Sequence, residues 1–254
     1  MARLASAPIF EFLAGLGECC ACSCFYRRHG RGPSRIYGAI AAYYTDLMTK
    51  AETLNALKIK MEQDATLPLR ESANLVFGEG NPDTEVLFIG EAPGFHEDRL
   101  GRPFVGTAGK LLDQMIALVG WRREDIYITN IVKRRPPDNR DPSPEELDAY
   151  GPYLASQIEI INPKAIVALG RFSMNYFLPD GKISRDQGRV FWKDGRKIIP
   201  VFHPAAALRA TAMKNALEES FKKLPELIRE MPVTAAPETP PKTAAEENKT
   251  PSLF

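Results

Sequence analysis

The feature that most constrains the fold is an apolar run, Val86 to Ile89, that ends abruptly in Gly90-Glu91-Ala92-Pro93-Gly94. A short apolar run closed by a turn sequence reads as a buried strand. Glycine and proline at that point stop either strand or helix from continuing. Two carboxylates follow, Glu97 and Asp98, then a second glycine-punctuated loop with one aromatic, Phe104. A helix begins near Thr107. Open α/β sheets bind ligands where a strand ends in a tight loop at its carboxyl end. Acids and an exposed aromatic on that loop suggest a planar ligand and proton or water chemistry.

The rest of the middle alternates strands and helices, which predicts a parallel sheet. Helices are expected over Lys50 to Gln63 and about Ala108 to Val119, the latter with Leu111, Leu112, Met115 and Leu118 on one face. A strand follows at Ile126 to Val132. Ser143-Pro144-Glu145-Glu146 supplies an N-cap, a proline at the first helical position and a capping-box acid for a helix reaching about Ile161. Then come a strand at Ala165 to Leu169, a short helix after Gly170 and an irregular basic excursion over Gln187 to Ile199. A strand at Ile198 to Phe202 delivers His203, and a last helix spans about Thr211 to Arg229. The expectation is an α/β fold, a three-layer αβα sandwich around a central four-stranded parallel sheet. Parallel strands share one carboxyl edge. Glu91, Glu97, Phe104, Asn130 and His203 should therefore converge, although they span more than a hundred positions.

GEAPG, then ED, then GRPFVG-x-AG, resembles the first motif of the family 4 uracil-DNA glycosylases. Val76-Phe77-Gly78-Glu79-Gly80, Ile128-Thr129-Asn130-Ile131-Val132-Lys133 with Arg135-Pro136-Pro137 and Asn139-Arg140, and His203-Pro204-Ala205 agree in order and spacing. The similarity runs from about Met61 to about Leu227. It implies a uracil-DNA glycosylase-like fold and base removal from DNA as the start of base-excision repair. Such an enzyme extrudes the base into a pocket. Phe104 is then the stacking surface. The amide of Asn130 can both donate and accept, as O4 and N3–H of uracil require. His203 would donate to O2 as charge develops on the leaving base. Ala92 and Gly94 complete the substrate loop; Ala92 stands where the best-known uracil-DNA glycosylases carry an Asp. Glu97 is the first choice for positioning water or for walling off a thymine methyl group. Glu91 is the second, with the alternative that it satisfies loop backbone donors. The loop after His203 is expected in the minor groove, with Leu208 as wedge among Ala207 and Arg209. Arg140 is a further DNA contact.

The family carries a 4Fe–4S cluster on four cysteines. The matching positions here are Gln63, Thr66, Arg134 and Tyr150, none of them a thiolate. No cluster is expected there, with Arg134 and Tyr150 packing or hydrogen bonding in its place. The four cysteines of the chain, Cys19, Cys20, Cys22 and Cys24, are spaced too tightly for usual metal loops. Residues 1–47 read as an extension, with Met48 a candidate true start; 48–230 form the glycosylase-like domain, and 231–254 a disordered tail. The tail ends in Leu253-Phe254, which resembles a sliding-clamp hook. A net charge of +1 does not announce a nucleic-acid binder, although a neutral total can hide a basic face. No apolar stretch approaches the ~20 residues that span a bilayer. The chain reads as a cytoplasmic monomer acting on single- or double-stranded DNA that contains uracil. A non-catalytic, clamp-associated DNA-binding protein and a glycosylase of shifted base specificity are the competing readings.

Overall fold

The computed structural model describes residues 48–229. The expectations for residues 1–47 and 231–254, including the four cysteines and Leu253 and Phe254, lie outside those residues. In chain order the elements are α1 (Lys50–Gln63), β1 (Glu79–Gly80), β2 (Val86–Gly90), α2 (Phe95–Leu100), α3 (Thr107–Leu118) and β3 (Tyr127–Asn130). They continue with α4 (Pro144–Ile161), β4 (Ala165–Leu169), α5 (Arg171–Phe177), α6 (Ile183–Asp186) and β5 (Phe191–Lys193). The last are β6 (Arg196–Val201), α7 (Pro204–Ala207) and α8 (Thr211–Arg229).

The strands form one sheet in the order β1-β3-β2-β4-β6-β5. Its four central strands are parallel, as the alternation predicts. Two short antiparallel edge strands, β1 and β5, extend the sheet beyond the expected four. The stretch read as an irregular basic excursion is in part a hairpin, with Lys193 paired to Arg196. Its turn residues Asp194 and Gly195 both have positive φ, 49° and 75°. That geometry matches the twist of an antiparallel ribbon, and Asp-Gly is its usual sequence sign. Glu97 and Asp98 also sit on a helical turn, α2, rather than on an open loop.

Successive side chains of a strand point to opposite faces. Phe88, Ile128, Val167 and Ile199 therefore meet α3 and α8 through Leu112, Ile116, Leu217 and Phe221. Leu87, Ile89, Ile166 and Ile198 meet α1 and α4 through Leu54, Met61, Leu154 and Ile158. This is the expected three-layer arrangement. Each large side chain so buried contributes roughly 1.5–3 kcal/mol. Leu118, expected on the buried stripe of α3, is exposed, and Ile116 takes the inward place as the helix ends. The capping box at α4 forms as read: Ser143 Oγ accepts from Glu146 N, and the Glu146 carboxylate accepts from Ser143 N.

From β2 the chain crosses to β3 on one side, whereas β4 lies on the other. That reversal opens a crevice at the carboxyl ends of β2 and β4, where doubly wound sheets hold ligands.

Candidate active site

A cavity of about 580 Å³ occupies this crevice. Glu91, Glu97, Phe104, Asn130 and His203 all border it, so the predicted convergence occurs. Ala92, Gly94, Arg140 and Arg209 border it as well. Leu208 stands exposed one residue from the rim. Ala207 departs from expectation. Only 2% of it is exposed, and it packs into the core beside α3 and α8, so it cannot touch DNA. The segment after His203 is the helical turn α7 rather than a loop, and this turn points Ala207 inward.

Phe104 is 5% exposed and sits in the apolar cluster with the cavity beside it. Its φ of 50° is left-handed, a conformation that costs a non-glycine residue about 1–3 kcal/mol. Three hydrogen bonds to its chain neighbours and one close backbone approach hold it there. Glu97 Oε1 accepts from Val105 N at 2.9 Å and from Gly106 N at 2.8 Å. Arg123 Nη2 donates to Pro103 O at 2.6 Å. Gly109 lets α3 lie directly on the Phe104 carbonyl, where any side chain would collide. Of Glu91 and Glu97, it is Glu97 that satisfies the backbone donors of this loop.

Asn130 ends β3, paired with Gly90 of β2. It is 2% exposed, and its Oδ1 has no hydrogen-bond partner among the described residues. A buried acceptor left unpaired costs about 1–3 kcal/mol, and such orphans mark places where a ligand donor is expected. A side chain at Gly90 would overlap that oxygen and come within 2.6 Å of Phe104 Cζ, so glycine keeps the space free. Behind Asn130, Lys133 is fully buried. Its Nζ donates to Thr129 Oγ1 (2.6 Å), Asn130 O (2.5 Å) and Gln157 Oε1 (2.5 Å). Burial drives its pKa well below the ordinary lysine value. Lys133 and Arg134 stand in a run of cations in the sequence, yet both are buried.

His203 follows β6 and caps α7. Its Nδ1 accepts from Ala205 N at 3.1 Å, which leaves Nε2 as the protonated nitrogen of a neutral ring. Burial pushes its pKa down to about 4, against a smaller opposing pull from Glu97. The ring lies 5.7 Å from that of Phe104. Gly170, at φ 89°, makes room for it, since a Cβ there would stand 2.9 Å from His203 Cβ.

Glu91 borders the cavity beside the ion pair of Arg171 and Asp141. Burial and the Asp141 charge push its carboxyl up to about 7, with Arg171 pulling the other way. Asp141 and Arg171 have no sequence signal, because one lies in a loop and the other opens a helix after a different strand. Arg140 reaches the cavity but is held bidentately by Glu146, at 2.9 and 2.6 Å.

At the corner between α1 and α4 lie the positions where the resemblance places cluster cysteines. Tyr150 is fully buried and donates to Pro68 O at 2.7 Å. Arg134 Nη1 donates to Ala73 O at 2.6 Å. Thr66 donates to Asp64, which also accepts from Tyr153. Hydroxyls and a guanidinium do not ligate iron as thiolates do, so this donor set does not fit a cluster.

The Phe104 ring, the Asn130 amide with its open acceptor and the neutral His203 imidazole line one cavity at a switch point, a set of groups chemically suited to a flat, uncharged heterocycle. The chain belongs to the uracil DNA glycosylase superfamily, whose family model matches residues 77–225. It is 42% identical over 189 residues to a type-4 uracil-DNA glycosylase of Thermotoga maritima, covering 72% of this chain and 98% of that protein. It is 47% identical over 167 residues to that of Archaeoglobus fulgidus, covering 62% and 84%. A type-5 uracil-DNA glycosylase of Thermus thermophilus is 33% identical over 121 residues, 42% of this chain and 55% of that protein.

Proposed function

We propose that this protein is a monofunctional uracil-DNA glycosylase that hydrolyses the N-glycosidic bond, leaves an abasic site and starts base-excision repair. The observation that carries this reading is the orphaned Oδ1 of Asn130, buried at the cavity wall beside the Phe104 ring. Uracil N3–H supplies the missing donor, and the amide N–H answers O4. Cytosine presents the reverse pattern and leaves both groups unpaired. As the bond to C1′ breaks, its electron pair moves onto the base and charge gathers at O2. The Nε2–H of neutral His203 donates to that oxygen. Water adds to C1′, and its proton goes to the Glu91 carboxylate, whose pKa near 7 suits a general base at neutral pH. Glu97 positions Phe104 through Oε1. Its other oxygen lies toward Gly94 at the cavity edge, where it crowds a substituent on C5 of the base. Leu208 is the wedge, with Arg209 toward phosphate.

The corner holding Gln63, Thr66, Arg134 and Tyr150 is read as functioning without an iron–sulfur cluster, because its hydrogen bonds replace the thiolates. Iron and sulfide analysis of the purified full-length chain should give neither in stoichiometric amount. Tethering to a sliding clamp through Leu253 and Phe254, and action as a cytoplasmic monomer, belong to the same reading. Deletion of Leu253 and Phe254 should abolish clamp binding. No helix among the described residues is long and apolar enough to cross a membrane.

The test is uracil release by the full-length chain from single-stranded, U:G, U:A and T:G oligonucleotides, scored after alkaline cleavage. Release from the uracil substrates and not from T:G is expected. DNA binding without release from any of them would favour a non-catalytic DNA-binding role.

A further inference from the structure

Phe95 opens α2 and is 52% exposed, although it follows directly on Gly94 at the cavity rim. Nothing in the core requires it. It is nonetheless held in place. The Arg135 guanidinium lies 5.4 Å from the ring centroid, and the His96 ring meets it edge-on at 5.5 Å. Arg135 is itself fixed, with Nε donating to Asn139 Oδ1 at 2.7 Å. Asn139 and the neighbouring Pro136 border the same cavity. An aromatic ring half in water, backed by a guanidinium and anchored at the mouth of a base pocket, has the chemistry of a stacking platform.

We propose that Phe95, backed by Arg135, stacks on an unpaired nucleobase next to the flipped uracil, giving the protein a grip on single-stranded DNA. The proposal rests on the glycosylase reading in one respect: if the cavity takes a base out of a strand, the neighbouring nucleotides must cross its mouth. Phe95 follows β2 and Leu208 follows β6, with β4 between them in the sheet, so platform and wedge meet the strand from separate elements. A ring face accepts any base, so the contact is sequence-tolerant. The adjacent guanidinium suits the phosphate that accompanies it.

The test uses full-length protein and single-stranded oligonucleotides with 2′-fluoro-2′-deoxyuridine, which resists hydrolysis, and 2-aminopurine either beside it or six nucleotides away. Wild-type protein should quench the neighbouring 2-aminopurine and not the distant one. Phe95→Ala should lose the quenching and bind roughly 5- to 100-fold more weakly. Phe95→Trp should restore both, and an unchanged melting temperature should show that each variant is folded. With ordinary uracil substrate, the Phe95→Ala loss should fall on KM more than on kcat. Equal quenching and affinity in wild type and Phe95→Ala would overturn the proposal. So would equal loss in the Ala and Trp variants. If the wild type releases no uracil from any substrate, the glycosylase reading fails, while the quenching still reports on the platform.

Discussion

The carboxyl edge of the sheet and the corner between α1 and α4 treat their polar groups in opposite ways. At the corner, hydroxyl and guanidinium groups reach out to the chain: Tyr150 to Pro68, Arg134 to Ala73, Tyr153 to Asp64. Only Arg134 Nε is left over. At the sheet edge, three of the polar groups that face the cavity stay partly or wholly open. Asn130 Oδ1 has no partner, Glu91 carries a raised pKa, and only one nitrogen of His203 is engaged. Paired groups hold a structure together, whereas unpaired ones store binding capacity at the expense of stability. The corner should therefore respond to mutation in melting temperature and the edge in rate.

The largest effect is expected at the edge. His203→Ala should slow single-turnover uracil release about 100- to 1,000-fold, the usual loss for one donor aimed at developing charge. Asn130→Ala should lower kcat/KM roughly 10- to 100-fold. Its melting temperature should scarcely fall, because the substitution removes an unsatisfied acceptor; a large drop would break the comparison. At the corner, Tyr150→Phe strands the Pro68 carbonyl and should cost about 1 kcal/mol, or roughly 2–4 °C. The folded fraction should release uracil at the wild-type rate, and a rate defect would mean that the corner takes part in the chemistry.

The smallest effect is in pH dependence. Glu91 is raised to about 7 by burial, so the folded state binds its proton between the usual carboxylate range and pH 7, where the unfolded chain does not. Stability from this group is greatest below about pH 4.5 and declines as pH rises toward 7. Water activation needs the ionised form, so release should increase through pH 7. Glu91→Gln should abolish that limb. His203 is lowered to about 4 and stays neutral throughout this range; its contribution to stability is lost only as pH falls from about 6.5 to 4. A limb near 6.5 that survives Glu91→Gln would contradict the assignment.

Much of this was legible in the chain. Val86 to Ile89 closed by Gly90 gave a buried strand and a loop at its end. Ser143 and Glu146 announced their helix, and three strand ends pointed to convergence. What escaped reading has a common cause. Lys133 stands in a basic run but turns inward to Asn130 O, Thr129 and Gln157, the last brought from α4. Ala207 sits in a segment read as DNA-facing, yet α7 turns it into the core. Glu97 resembles a free acid until Val105 N and Gly106 N are seen to occupy it. The β5–β6 hairpin had its Asp-Gly signal but was obscured by surrounding charge.

The sequence by itself determined the local rules: which runs are strands, where glycine and proline end them, which helix is capped, and the absence of cysteine from residues 48–229. Those depend on neighbours in the chain, within a helical turn or a strand's alternation. The tertiary structure alone decided which acid is bound and which stays free, which cation is buried and which amide lacks a partner. Each of these depends on desolvation and on donors supplied by strands tens of residues away, and chain order does not encode that distance.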